Sequence, residues 1–342
     1  MPAAVKRGAL GSGRPVAAAF IFFALVCGAA LSLATGGRSD VGLGTLWALI
    51  AGQGDEIARL PMATMLDLRL PRAAVAALLG VNLSLAGLIL QAVTRNPLAS
   101  PGILGINQGA ALGLVAALAF PGAAGLALDG MAIAGALGAG AVTFAIAGGF
   151  SGRIDPVRMV LGGVAVGAFA YGAVRFAYTL EDELARSIVR WTVGDIGDMR
   201  WSDARPLALW SLGGGVMTFL LAHRLNMMSL GEVASRGLGA DPRWTLLLGA
   251  VVATALAGVS VTVAGPIAFV GLVVPHVARA LFGGDHRVLV PVSAGLGAAL
   301  MLCADGLSKL LAAPAEVPVG LVAALIGAPY FLYLTMFSEA LE

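Results

Sequence analysis

About ten stretches of this chain are apolar for long enough to cross a lipid bilayer, which takes roughly 20 apolar residues in a helix. They lie near 15–35, 72–93, 102–120, 126–150, 159–179, 206–222, 244–264, 266–282, 288–308 and 318–337. Inside hydrocarbon the backbone has no water to bind, so a spanning segment must satisfy its own N–H and C=O groups, as a helix does. The pattern predicts an all-α polytopic membrane protein with about ten transmembrane helices. Charge usage agrees: 12% of the residues are charged and 59% are hydrophobic, where a soluble domain carries about a quarter charged residues to solvate its surface.

Gly105, Gly109 and Gly113 recur at four-residue spacing, as do Gly163 and Gly167, all inside apolar runs. Small residues so placed let helix backbones approach closely, which stands in for the hydrophobic drive that lipid removes. They are expected at helix interfaces rather than in loops.

The run Pro15–Ala34 follows Lys6, Arg7 and Arg14. It is long enough to span and precedes many other spans, so it is expected to be an uncleaved first helix rather than a signal peptide. The amino-terminal basic cluster favours the inside, and an even number of spans then puts both termini in the cytoplasm. With that topology the outer side receives Arg38, Arg59, Arg69, Arg72, Arg175, Arg186, Arg190, Arg200, Arg205 and Lys309, nearly balancing the inner side. The outer arginines therefore need an explanation of their own.

Several functions are argued against. A net charge of +2 gives no basis for nucleic-acid binding. The two lysines, Lys6 and Lys309, follow no Gly-rich phosphate loop, so ATP hydrolysis through such a loop is not expected. His223, His276 and His286 have no histidine or acidic residue at i±4, and no Ser/His/Asp set or paired-carboxylate cleft stands out. Cys27 and Cys303 sit in separate apolar segments without metal-ligand spacing. No catalytic, metal or cofactor site is expected in this chain.

An internal repeat is visible by eye. Leu85-Ala86-Gly87 leads through Asn96-Pro97 to Ile103-Leu104-Gly105, and Leu256-Ala257-Gly258 leads through Gly265-Pro266 to Phe269-Val270-Gly271. The first copy runs inward and the second outward, an inverted internal repeat of the kind membrane carriers use. Chance similarity between Gly- and Ala-rich helices is the competing explanation.

Two stretches do not span. Glu181–Arg205 mixes charges with Trp191 and Trp201 and suits the outer interface. Between Asn226 and Trp244, Ser229-Leu-Gly-Glu232 has the form of a capping box. A short helix should follow and stop at Gly237 and Gly239. Leu230, Val233, Ala234 and Leu238 give it an apolar patch beside polar Glu232, Ser235 and Arg236. Such an element either docks another protein or lies on the lipid surface. At the outer mouth of the second span, Arg69 and Arg72 are three residues apart and share a helix face; Asp305 and Lys309, four apart, are spaced to pair. On spacing alone, snorkelling toward the interface explains both.

Taken in order, these residues resemble the permease subunits of ATP-binding-cassette importers for iron-siderophores, haem and vitamin B12. The resemblance runs from Leu68 to Leu334. It is carried by Leu68-Arg-Leu-Pro-Arg72, Gln91 with Arg95-Asn-Pro-Leu98 and Pro101-Gly-Ile-Leu-Gly105, and Ser229-Leu-Gly-Glu232 with Leu238-Gly239. Gly265-Pro-Ile-Ala-Phe-Val-Gly-Leu-Val-Val-Pro-His-Val-Ala-Arg279, Gly284-Asp-His-Arg287, Ala304-Asp305, Glu316-Val-Pro-Val-Gly320 and Gly327-Ala-Pro-Tyr-Phe331 continue it.

The resemblance implies that residues 1–342 form a single transmembrane permease domain in the bacterial inner membrane. That domain would pair with a second permease copy as a homodimer. A cytoplasmic ATPase subunit pair would hold the ATP and Mg, and a periplasmic substrate-binding protein would deliver cargo. The segment of about 226–243 aligns with the family's coupling helix, which implies ATPase contacts by Ser229, Leu230, Gly231, Glu232, Val233, Ala234, Arg236, Leu238 and Gly239. Arg69 and Arg72 match arginines that grip acidic residues of the binding protein. Lys309 stands where relatives usually have a third arginine, and a lysine cannot offer a bidentate fork to a carboxylate. Tyr171 and Tyr178 in the fifth span and Tyr330 and Tyr333 in the tenth are implied along the translocation path. The implied cargo is an iron chelate, siderophore or haem, with cobalamin as the alternative. His276 belongs to the family's common Pro-His-x-x-Arg run and is expected to pack rather than to bind metal. An ion-gradient-driven secondary transporter would need ionisable groups at mid-membrane, and Arg175 and Asp305, the main candidates, lie toward the faces.

Overall fold

The structure is a computed structural model that describes residues 13–36, 41–52, 59–119, 128–149, 155–179, 192–229, 235, 237, 241–313 and 315–337. Twelve α-helices cover most of these: α1 (Gly13–Ala34), α2 (Leu43–Ile50), α3 (Arg59–Thr64), α4 (Leu70–Thr94), α5 (Ile106–Ala119), α6 (Leu128–Ile146), α7 (Pro156–Tyr178), α8 (Trp201–Ser229), α9 (Pro242–Ala264), α10 (Val270–Phe282), α11 (His286–Leu310) and α12 (Val319–Phe337). No strand occurs among the described residues. Six runs are long and apolar enough to cross a membrane: most of α1, the continuous stretch Leu60–Thr94, and α7, α8, α9 and α11. Four more apolar helices, α5, α6, α10 and α12, are shorter. Each apolar segment expected from the sequence falls on one of these helices.

Helix α4 is the axis. Its most apolar stretch is 78% buried, against 22% for that of α1, and it packs on α8, α9, α10 and α11. The α4–α11 contact is backbone on backbone. A Cβ added to Gly80 would lie 2.0 Å from the carbonyl oxygen of Gly297, and one added to Gly297 would lie 2.2 Å from that of Gly80. Gly109 and Gly113 likewise press α5 onto Gly135 and Met131 of α6, and Gly163 of α7 meets Ile103. Gly105 departs from the expectation: with φ +74° it turns the chain into α5, a conformation open to glycine at no steric cost.

A π-helical turn, Met65–Arg69, joins α3 to α4. The N–H of Leu70 donates to Met65, five residues back, and Pro71 has no N–H for Asp67. The turn absorbs the proline that would otherwise break the run. Carbonyls released this way must find other donors. The indole of Trp201 donates to Leu66 O at 2.9 Å, and Arg200 donates to Asp67 O at 3.2 Å. The start of α8 is thereby fixed to the π turn.

Helices α5 and α10, of 14 and 13 residues, are only about 20 Å long, short of the roughly 30 Å hydrocarbon core. Non-helical links cover the remaining depth, and both reach the same place. Ser100–Ile103 and Ile267–Phe269 line one cavity of about 280 Å³ with Leu83, midway along α4, and Phe331 of α12. Irregular backbone at membrane depth is tolerated where protein buries it; here Gly271 lies against Gly87 and Pro101, and Gly194 lies against Pro266. Inside α10, Pro275 has no N–H for the carbonyl of Gly271. The Gln91 amide supplies the donor, reaching Gly271 O and Leu272 O at 3.2 Å each, while its oxygen accepts from Arg279.

Candidate functional site

The polar side chains that the sequence singled out gather at the two ends of the α4–α11 pair. At one end Asp305 of α11, with no exposure, is the hub. Its Oδ1 accepts from Arg72 Nε at 2.6 Å, and its Oδ2 accepts from Lys309 Nζ at 2.6 Å and from the Ser32 hydroxyl at 2.6 Å. Lys309 also donates to Ser32 O at 2.8 Å. Arg72 Nη1 reaches Glu316 Oε2 at 2.5 Å, and Nη2 makes a long 3.4 Å contact with Ser308. Arg69 Nη1 donates to Leu33 O and Val41 O at 2.7 and 2.8 Å, bracing the link that leaves α1. Arg69, Arg72, Lys309 and Glu316 then line an open cleft of about 220 Å³ with Thr35, Thr64, Leu68 and Gly197.

The structure thus brings Arg69, Arg72 and Lys309 together, but it turns all three inward. Each is only 5–6% exposed, and each is held by partners within the chain. The reason is electrostatic: a buried cation is tolerated only with a counter-ion or hydrogen-bond acceptors. The i,i+4 spacing of Asp305 and Lys309 did announce their pair. Ser32 and Glu316 have no such local signal, although Glu316 opens one of the motifs that carry the family resemblance.

The opposite end carries a second polar cluster. Asn226, in the last turn of α8, donates through Nδ2 to Asp285 at 2.7 Å and accepts at Oδ1 from His286 N at 2.8 Å. His286 Nδ1 lies 2.7 Å from the same oxygen, so that nitrogen carries the proton. Asp285 caps α11 by accepting from Arg287 N at 3.0 Å. The Asn226 amide, then the Arg287 backbone N–H, hold the Asp285 carboxyl below its ordinary value of 3.8. Asp155 and Asp241 cap α7 and α9 in the same way. All three capped starts lie at this end.

Ser229 is the last residue of α8, and its hydroxyl donates back to Asn226 O at 2.7 Å. Leu230, Gly231, Glu232, Val233, Ala234, Arg236, Leu238 and Gly239 lie outside the described residues. Ser235, between them, is fully buried.

Tyr171 and Tyr333 stand on exposed faces of α7 and α12, and Arg175 sits 5.6 Å over the Tyr171 ring. Tyr330 meets His276 edge-on at 6.3 Å, a packing contact of the kind expected for that histidine. Tyr178 ends α7, and its side chain lies outside the described residues. Helix α7 packs on α5 and α6, and α12 packs on α10 and α11. Their outer faces stay apolar and open, with Val164, Phe169 and Phe176 on one and Leu321, Leu325 and Met336 on the other.

The model of the FecCD transport family matches residues 21–337. The Fe(3+) dicitrate transport system permease protein FecC of Escherichia coli (strain K12) is 39% identical over 335 residues, covering 97% of this chain and 98% of that one. The hemin transport system permease protein HmuU of Yersinia pestis is 38% identical, covering 79% and 82%. The cobalamin import system permease protein BtuC of Halobacterium salinarum is also 38% identical, covering 78% and 72%. Among solved structures, a metal-chelate type ABC transporter in an inward-facing conformation superposes with a TM-score of 0.78 at 28% identity, covering 94% of this chain and 99% of the other.

Proposed function

The chain belongs to the FecCD transport family, and from that premise we propose that it is the membrane-spanning permease subunit of an ATP-binding-cassette importer. Its cargo is an iron chelate, a siderophore complex or haem, carried from periplasm to cytoplasm. The observation that carries this reading is the separation of two polar clusters by the close-packed α4–α11 pair. The Arg72–Asp305–Lys309 cluster is at one end, and the Asn226–Asp285–His286 cluster, which includes the first residue of the 226–243 segment, is at the other.

In this reading the first cluster faces the periplasm and the second the cytoplasm. Helix α1 ends at the first cluster and α12 begins there, so Gly13 and Phe337 fall at the other end, in keeping with two cytoplasmic termini. The apolar helices make ten spans, and the two broken links around Pro101 and Phe269 are the matching points of an inverted repeat. Two copies pair through the open faces of α7 and α12. A binding protein docks over the Arg69–Arg72–Lys309 cleft, and an ATPase pair takes the 226–243 segment of each copy. ATP and Mg reside on those ATPase subunits. Their closure on ATP moves the segment, and the Asn226 bonds pass that movement to the start of α11.

The buried charged side chains support this reading over an ion-driven carrier. Among the described residues, Arg69, Arg72, Asp305 and Lys309 are buried at helix ends, and all are partnered by the chain itself, whereas coupled carriers place ionisable groups at mid-membrane. Cobalamin is the second cargo reading, favoured by the likeness to a cobalamin permease. Purification of the tagged chain from native membranes in mild detergent tests the assembly. Equal copies of an ATPase subunit should co-purify and should be lost when Leu230 and Glu232 are both replaced by alanine. Recovery of the chain with no ATPase would contradict it.

A further inference from the structure

We propose that Glu316 is an internal stand-in for the carboxylate a docking protein brings to Arg72, so that docking proceeds by exchange of one carboxylate for the other. This rests on the docking reading of the cleft given under the proposed function. The two acids that hold Arg72 differ in kind. Asp305 has no exposure and is itself tied to Lys309 and Ser32, so it is a fixed part of the fold. The Glu316 side chain is 40% exposed and sits in the link between α11 and α12, at the rim of the cleft. The backbone beside it is anchored, with Val317 N donating to Ser308 O at 3.0 Å. Side-chain rotation alone is therefore enough to release the carboxylate.

Once it leaves, Arg72 offers a free edge. Nε stays on Asp305, while Nη1 loses its partner and Nη2 keeps only the 3.4 Å contact with Ser308. Those two nitrogens form the parallel pair of donors that a carboxylate binds bidentately. Charge points to the same occupant. Arg72 and Lys309 are balanced by Asp305 and Glu316, departure of Glu316 leaves this ion-paired set one positive charge in excess, and a single incoming carboxylate restores the balance. The occupant is an acidic side chain on the surface of a soluble protein. A buried guanidinium left without a partner is strongly destabilising, and exchange means Arg72 is never left so. Glu316 also tempers the affinity, because the bond that the incoming carboxylate makes to Nη1 replaces the one that Glu316 gives up. This keeps docking reversible.

The test is a titration of the reconstituted transporter in nanodiscs with the periplasmic binding protein that co-purifies with it. Glu316→Gln removes the competing charge while keeping the side chain's size, and is expected to dock roughly threefold to tenfold more tightly at an unchanged melting temperature. Should that variant prove unstable, Glu316→Asp, with its charge on a shorter stem, is expected to shift affinity in the same direction. Equal or weaker docking in a stable variant would overturn the exchange, making Glu316 a brace or a contact of the partner. The two readings fail differently. No docking by wild type or variant removes the docking role of the cleft itself, whereas wild-type docking with no tightening in the variant removes only the exchange.

Discussion

Asp305 carries the largest consequences of any single side chain here, because two cations depend on it. Asp305→Ala leaves Arg72 and Lys309 buried with fewer acceptors, and breaking a buried pair from one side costs about 3–5 kcal/mol. The expected outcome is a large fall in the melting temperature of the detergent-solubilised protein. A variant within a degree of wild type would mean that the cluster is not formed. Gln91→Leu is milder. It removes the donor that Gly271 lost to Pro275, and an unsatisfied buried carbonyl costs about 1–3 kcal/mol, read in the same melt. Asp285 sets a pH dependence. Its folded value is depressed by the Asn226 amide and the Arg287 N–H, so its contribution is complete above the ordinary carboxylate value and is lost as pH falls through the depressed one. Wild type should therefore lose more stability than Asp285→Asn between about pH 5 and pH 3, and parallel pH curves would contradict the clasp.

Among the elements, much of the architecture was legible. Apolar length alone located α1 and α4 to α12, because lipid admits few alternatives to a helix, but it passed over the eight-residue α2 and the short α3. The shortness of α5 and α10 was not legible, since the apolar runs 102–120 and 266–282 include residues 102–105 and 266–269, whose backbone is not helical. Hydropathy reports what surrounds a residue, not whether its backbone is helical. Gly105 misled for the same reason: its apolar neighbours hid a turn. At the site, Arg72 and the Asp305–Lys309 pair were visible as local spacings, but that these cations turn inward was not. Ser32 and Glu316 lie far away in sequence, and only the packing of α1 and the α12 entry onto α11 brings them in. The role of Trp201 as donor to the π turn was equally hidden, because it depends on which carbonyls Pro71 releases. Close packing at the α4–α11 crossing yields a sharp contrast. Gly80→Leu must displace the Gly297 backbone and should lower the yield of folded protein, with overpacking costing about 1–3 kcal/mol or more. Gly213→Ala, in α8 with nothing within 4 Å, should be neutral or slightly stabilising. Equal effects of the two on folded yield would argue against the crossing.

For the whole molecule, α4 and α11 act as struts between two polar ends. Each carries a residue of the Arg72–Asp305 pair at one end, and each contributes to the bonds at the other through Gln91 and His286. A binding protein and an ATPase pair acting on opposite faces would both push on this pair, which is what an importer powered from outside its own chain requires. The most direct measurement is uptake of radiolabelled iron chelates (ferric citrate, a ferric hydroxamate and haem, each in turn) into proteoliposomes holding the permease with its ATPase pair, with binding protein outside. The account predicts uptake that needs enclosed ATP and persists when ionophores collapse every ion gradient. Uptake by the permease alone, without ATP and abolished by an ionophore, would contradict it.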